Sequence, residues 1–395
     1  MKNQRGMTLI EVMVAMLIGL IGCIAIFQMY SVADTRKRAV SSGSDMDIAG
    51  RLAMMTLERD LQLAGYGFGM AAAPNASQGG PMLGCSVVAY DNQRPVAVQD
   101  FTFPFVPVVI TQGTAGAPDS IAVLKGSSDL LVIGKLVDNG TATTVRVKAD
   151  TGGRTGVRKG EVVIEAYKNN TATVHECGMF EIVDDTDADQ LTFKHEPSTE
   201  YTTALGVTKS TRYNKAGGTT FALTMGEGKM YNLGPSPARS VWSVLPPGAS
   251  LSGKLVVTND LAWTDMNSDN QNDLLEAADL VVNLQAQYGV DTNADGMVDV
   301  WVESMPTADW TTLLAVRFAL LTRGQQYETT KLYELTGMGT APFKPSWSGG
   351  LFTMTNVDGT ADNEPGGIND WRFYRYKVFE TVVPLRNTIV GKGVI

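Results

Sequence analysis

The chain has 395 residues, 44% of them hydrophobic, with a net charge of −9 and a sequence pI near 4.9. That length and apolar content allow a substantial core in one large or two small domains, and the acidic balance argues against a broad cationic surface, so direct nucleic-acid binding is not expected. Catalytic machinery is poorly represented: His175 and His195 are the only histidines, and neither a G-x-S-x-G elbow nor a G-x-x-x-x-G-K phosphate loop occurs.

Lys2 and Arg5 precede Gly6, and the apolar run Val12 to Phe27 follows almost at once. No small-x-small cleavage site comes after that run, which is close to the roughly 17 to 20 residues a spanning helix needs, so the segment is expected to stay on the protein. Glu11 sits at the mouth of the apolar run. A carboxylate at the edge of hydrocarbon costs a few kcal/mol unless it is paired, which makes Glu11 a functional candidate. Thr8-x-x-Glu11 also has the form of a capping box, but a Gln would cap at lower desolvation cost, so the charge calls for a cation. Farther on, Met54, Leu57, Leu61 and Ala64 recur at spacings of 3, 4 and 3, which predicts an amphipathic continuation of the same helix. Gly65, Gly67 and Gly69 are expected to stop it; they follow a helix, where a phosphate-binding glycine loop would follow a strand.

The stretch Arg5-Gly6-Met7-Thr8-Leu9-Ile10-Glu11 resembles the leader of type IV pilins and pseudopilins. The resemblance implies that a prepilin peptidase cuts after Gly6 on the cytoplasmic face. It also implies that Met7 becomes an N-methylated terminus and that Glu11, the fifth mature residue, pairs with the Met7 amine. Arg36, Lys37 and Arg38 lie beyond the span, so a positive-inside count does not favour this orientation, which rests on the resemblance.

Past Met82 the apolar residues recur mostly at period 2. Strands are predicted over Ser120 to Leu124, Leu130 to Ile133, Thr144 to Val147 and Glu161 to Tyr167. The run TATVHECGMFEIV reads as another strand, with His175, Glu176 and Cys177 pointing to alternating faces, not as a chemical cluster. Val282 to Val290 is expected to be a half-buried strand with one wet face, paired as a hairpin with Val298 to Val302. Leu314 to Arg323 and Arg372 to Val383 look like two more strands, and the Gly- and Pro-rich stretches 337–350 and 356–370 like surface loops. Cys23 lies inside the spanning helix. In an oxidising compartment Cys85 and Cys177 are the natural disulfide pair, the alternative being two separate buried thiols.

Two acidic loops carry the spacing that wraps a hard cation. Asp291, Asn293, Asp295 and Asp299 stand at positions 1, 3, 5 and 9 with Gly296 at 6; Asp265, Asn267, Asp269, Asp273 and Glu276 stand at 1, 3, 5, 9 and 12 with Asn270 at the turn. Calcium is the candidate cofactor, the first loop being the stronger case, against the plain reading that Asp, Asn and Gly form turns.

LERDLQLAGYG, VVNLQAQYGVDTNADGMVDVW, LLAVRFALLTRG and RYKVFETVVPLRN together resemble the PilW class of type IV minor pilins, related to the J-type pseudopilins of type II secretion. The resemblance covers about the first seventy residues and the last hundred and thirty. It implies an α+β fold: a leader over 1–6, a pilin helix over 7–64 whose first half spans the membrane, and a β-rich antiparallel periplasmic head over 65–395. The implied role is non-enzymatic, in a complex at the pilus tip that primes assembly and so supports adhesion, twitching motility or DNA uptake. Expected partners are the prepilin peptidase, other minor pilins, the major pilin, a pilus-tip adhesin and the inner membrane. The alternatives are a type II secretion pseudopilin, or a signal-anchored periplasmic binding protein or enzyme.

Overall fold

A computed structural model describes residues 8–72, 82–130, 134–149, 153, 155–168, 175–186, 188–197, 200–217, 228–245, 253–305, 309–333, 343–360 and 366–391. A single helix, Leu9–Gln62, runs for 54 residues, roughly 80 Å at 1.5 Å per residue. Its first half is long and apolar enough to cross a membrane, and none of that window is buried against the rest of the chain. Its second half buries Met46, Ala53, Leu57 and Leu61, and Ala64 is buried just past its end, while Met54, expected on the same face, is only half-buried; the glycine-rich stretch beyond Leu63 turns the chain away with Gly65 and Gly67 at φ of 77° and 100°.

The head is β-rich and mostly antiparallel. A four-stranded sheet runs in the order Val300–Val302, Val281–Val290, Leu313–Arg323, Tyr376–Pro384. A five-stranded sheet runs Leu275–Ala278, Leu255–Asn259, Ala238–Val244, Ser120–Lys125, Val108–Thr111. These two sheets and the helix share one core, in which Leu57 and Leu61 meet Trp242, Leu255, Phe318, Leu320 and Val383.

The eight-stranded sheet runs Asp100–Pro104, Ser86–Tyr90, His175–Glu181, Val162–Lys168, Gly228–Gly234, Lys135–Gly140, Thr144–Val147, Thr192–Lys194, with one parallel pairing between Ser86–Tyr90 and His175–Glu181. Beyond Glu181 the chain bonds to both sides: Ile182 pairs with Glu161, while Val183 and Asp184 pair with Lys194 of the last strand. Six strands therefore close on themselves as a small barrel, filled by Val137, Val145, Val147, Val163, Phe180, Ile182, Phe193 and Met230.

Several expectations are corrected. The strand Val281–Val290 carries a bulge between Val281 and Asn283, so Val281, not Val282, joins Leu284, Ala286 and Tyr288 in the shared core. Its other face is not wet. Gln287 is buried beneath Arg317, whose Nε donates to Gln287 Oε1 at 2.8 Å and whose guanidinium lies between the rings of Trp301 and Trp347. The hairpin partner is shortened to Val300–Val302. Trp371–Phe373 forms a 3₁₀ turn before the last strand, capped by Asp370, and within the stretch 356–370 both Asn356 and Asp370 are buried. Asp370 is satisfied there by the equally buried Arg372, so a polar segment can go inside. Residues 131–133 of the strand expected from Leu130 lie outside the described residues.

Candidate functional site

Helix initiation at the membrane end follows from two side chains. Thr8 is the extended N-cap; its N–H and its hydroxyl each donate to Glu11 Oε2 at 2.9 Å, and the Glu11 N–H returns to Thr8 Oγ1 at 3.4 Å. The capping box is therefore formed. It uses one carboxylate oxygen, and among the described residues no cation lies within ion-pair distance of Glu11. Gly6 and Met7 lie outside the described residues.

At the other end the helix is fastened to the head by groups that sequence reasoning missed. Asp60 is buried and accepts from Lys125 Nζ and, at 2.8 Å, from Trp242 Nε1, so one carboxylate ties the helix to two adjacent strands of the five-stranded sheet. Asp47 pairs with Lys377 on the last strand. Between them Gly50 lets the strand come close: a Cβ there would lie 2.1 Å from the Phe379 ring. An acidic residue on the buried stripe of a helix was the available signal for Asp60.

Cys85 and Cys177 form a disulfide, with Cα atoms 6.0 Å apart, inside the core that also holds Phe68, Phe105 and Tyr231. Among the described residues His195 is not gathered with other metal-binding groups. It stacks on Phe180 at 4.1 Å at the edge of the barrel core, and burial pushes its pKa down to about 4.

The two acidic loops have the same conformation. In each, the side chain at position 1 accepts the amide at position 6: Asp291 from Gly296 at 2.9 Å, Asp265 from Asn270 at 3.0 Å. Position 3 accepts from position 5, position 5 from position 7, and position 9 from position 2 in both. Positions 4 and 6 are left-handed in both, at φ of 63° and 84° for Ala294 and Gly296 and of 60° and 59° for Ser268 and Asn270. Asn270 thus takes the turn that Gly takes in the other loop, a conformation Asn tolerates. Glu276 does not close its loop: it lies on the strand Leu275–Ala278 with its carboxylate on Lys254 Nζ at 2.5 Å. Among the described residues no group of three or more His, Cys, Asp or Glu side chains is gathered as a metal site.

A helix long and apolar enough to cross a membrane thus starts at a capping carboxylate and is clamped to a β-rich head. The prokaryotic N-terminal methylation motif matches residues 1–27, and the family described as type IV pilus-assembly protein W matches residues 251–387. The two matches together support a PilW-class type IV minor pilin. The second match spans the four-stranded sheet and the strands 255–259 and 275–278, which pack against the helix, and it includes both acidic loops; the barrel lies outside both matches. No curated protein matches. A solved type IV-like pilin from Thermus thermophilus is 9% identical, with 89% of this chain and 97% of that one covered, but its TM-score of 0.30 is too low to carry an argument. The PilW match and the methylation motif imply processing by a prepilin peptidase, assembly with other pilins, membrane anchoring and a structural role.

Proposed function

We propose that this minor pilin is cut after Gly6, presents its head to the periplasm and enters a priming complex at or near the pilus tip with other minor pilins, the major pilin and a tip adhesin. Glu11 carries the reading: its carboxylate sits at the first turn of an uncovered apolar helix with one oxygen left over by the cap. In a filament of packed helices that charge is stabilised by the amine of Met7, freed by cleavage. Glu11→Gln keeps the hydrogen-bond geometry of the cap and removes the charge. The variant is expected to be cleaved normally, by N-terminal sequencing, and to fall at least about tenfold in sheared pili, the loss of a charge-assisted pair at a hydrocarbon edge. Wild-type levels in the pilus fraction would reduce Glu11 to a cap.

The same reading places calcium in the loop Asp291 to Asp299. The Asn293 amide nitrogen lies 3.1 Å from Asp295 Oδ2 and 3.4 Å from Asp299 Oδ1, so a cation taking its place would meet both carboxylates. Asp265, Asn267, Asp269 and Asp273 share the conformation but lack Glu276 as a closing ligand. Calcium should raise the melting temperature of the purified protein, and Asp291→Ala with Asp295→Ala should abolish the rise. Identical melting of the wild type in calcium and in chelator rules the site out.

A further inference from the structure

A hairpin of two short strands, Tyr201–Thr202 and Thr208–Lys209, leaves the barrel and folds its turn back over residues 158–161. The Ala204 N–H donates to Lys159 O at 3.0 Å, and Gly160, at φ of 94°, lets Thr203 lie where a Cβ would come within 2.7 Å of it. Beneath the turn is a cavity of about 380 Å³. Its lining combines the aliphatic side chains of Leu205, Val207 and Pro235 with the cations Arg158, Lys159 and Lys209.

Most charges at this cavity are already answered. Glu161 accepts from Asn232 Nδ2 at 2.7 Å and from the Arg158 N–H at 2.8 Å, Asp129 lies 3.6 Å from Arg158, and Lys209 lies 2.7 Å from the buried Glu181, which also takes the Tyr201 hydroxyl. Lys159 differs. It is half-buried in the wall, and among the described residues its ammonium has no ion-pair partner, in a protein whose net charge is −9. Ser127, Thr203 and Ser236 add hydroxyls around the same space.

We propose that the cavity binds a carboxylated saccharide unit, its carboxylate on Lys159, with Arg158 at its side, and the C–H face of its ring on Leu205 and Val207. The volume is at the small end of ligand sites and takes one or two rings. Aliphatic walls, scattered hydroxyls and a localised cation suit a ring that is apolar on its face, hydroxylated at its rim and charged at one point. This site is independent of the assembly reading, because neither the helix nor Glu11 contributes to it.

The test is calorimetric titration of the full chain in detergent with glucuronate, galacturonate and N-acetylneuraminate, beside glucose, acetate and an acidic dipeptide. At least one of the acidic sugars should bind, with glucose and acetate at least about tenfold weaker, since a charge-assisted hydrogen bond is worth about that factor. Lys159→Gln should weaken the acidic sugar by about tenfold while leaving the melting temperature unchanged, and Leu205→Asn should weaken it through the wall. The proposal is overturned if none of the three acidic sugars binds, if glucose binds as well as they do, if the dipeptide binds more tightly, or if Lys159→Gln titrates like the wild type.

Discussion

Replacing Cys85 and Cys177 by alanine is expected to lower the stability of the head by roughly 4 to 5 kcal/mol, the chain-entropy value for a loop of this length. The two residues are 92 apart in sequence, and the loop they close includes the first three barrel strands, Lys135–Gly140, Thr144–Val147 and Val162–Lys168. With the bond gone, the unfolded chain regains the freedom to separate Ser86–Tyr90 from His175–Glu181, whose pairing is the one parallel contact described in the eight-stranded sheet. For a head of this size the melting temperature should fall by about 6 to 7 °C. Both cysteines are buried, so reductant alone should not reach the bond until the head opens. Labelling in urea without reductant should find one reactive thiol per chain, Cys23. Three labelled thiols, or an unchanged melt in the double variant, would refute the cross-link.

What the sequence made legible was what is encoded within a few residues. The capping box needs only Thr8 and Glu11, one helical turn apart, and the buried stripe Leu57, Leu61 and Ala64 needs only the helical period. The strands Ser120–Lys125, Val162–Lys168 and Leu313–Arg323 alternate or run apolar over their own length, so they too were readable. The bulge at Val281 was not, because one extra residue is set by the partner strand and leaves the local pattern intact. Nor was the barrel, whose closure depends on Asp184 meeting Lys194 across a turn with no apolar periodicity. Gln287 reads as a solvent-facing residue until Trp301, Trp347 and Arg317, which come from three separate segments, cover it.

The same distinction separates the two kinds of site. Gly6, Met7 and Glu11 could be named from seven consecutive residues, and the acidic loops from nine to twelve. Lys159 could not be singled out, because an unpaired lysine matters only once a hairpin more than forty residues later is folded over it. Asp60 stands between these cases: its place on the buried stripe was visible, but its partners Lys125 and Trp242 are 65 and 182 residues away.

Raising the pH from 6.5 to 8.5 is expected to destabilise the head through Glu165. This residue lies at the centre of the barrel wall, between Gly178 and Met230 on the flanking strands and on the same face as Met230 and Val163. It is fully buried, and neither carboxylate oxygen has a hydrogen-bond partner. Lys135, also buried, faces the same interior from the far side of Met230 but donates no hydrogen bond to Glu165. Burial therefore pushes the Glu165 pKa up to about 8 from 4.5. The folded head holds a proton that the unfolded chain releases, so the stability is fully present below pH 4.5 and declines as pH rises, until the folded carboxyl also ionises near pH 8. Each pH unit in that interval costs about 1.4 kcal/mol, for a total of roughly 4 to 5 kcal/mol. His195 acts in the opposite sense: its folded pKa of about 4 removes stability only as pH falls below 6.5. Between pH 6.5 and 8.5 Glu165 is thus isolated from it, and urea denaturation of the wild type should show a loss of roughly 2 kcal/mol over that window. Glu165→Gln keeps the shape and cannot ionise, so its stability should be flat across the same window even if its absolute value shifts. Equal slopes in the two proteins would show that the Glu165 carboxyl has found a partner and that the barrel interior is not closed to its charge.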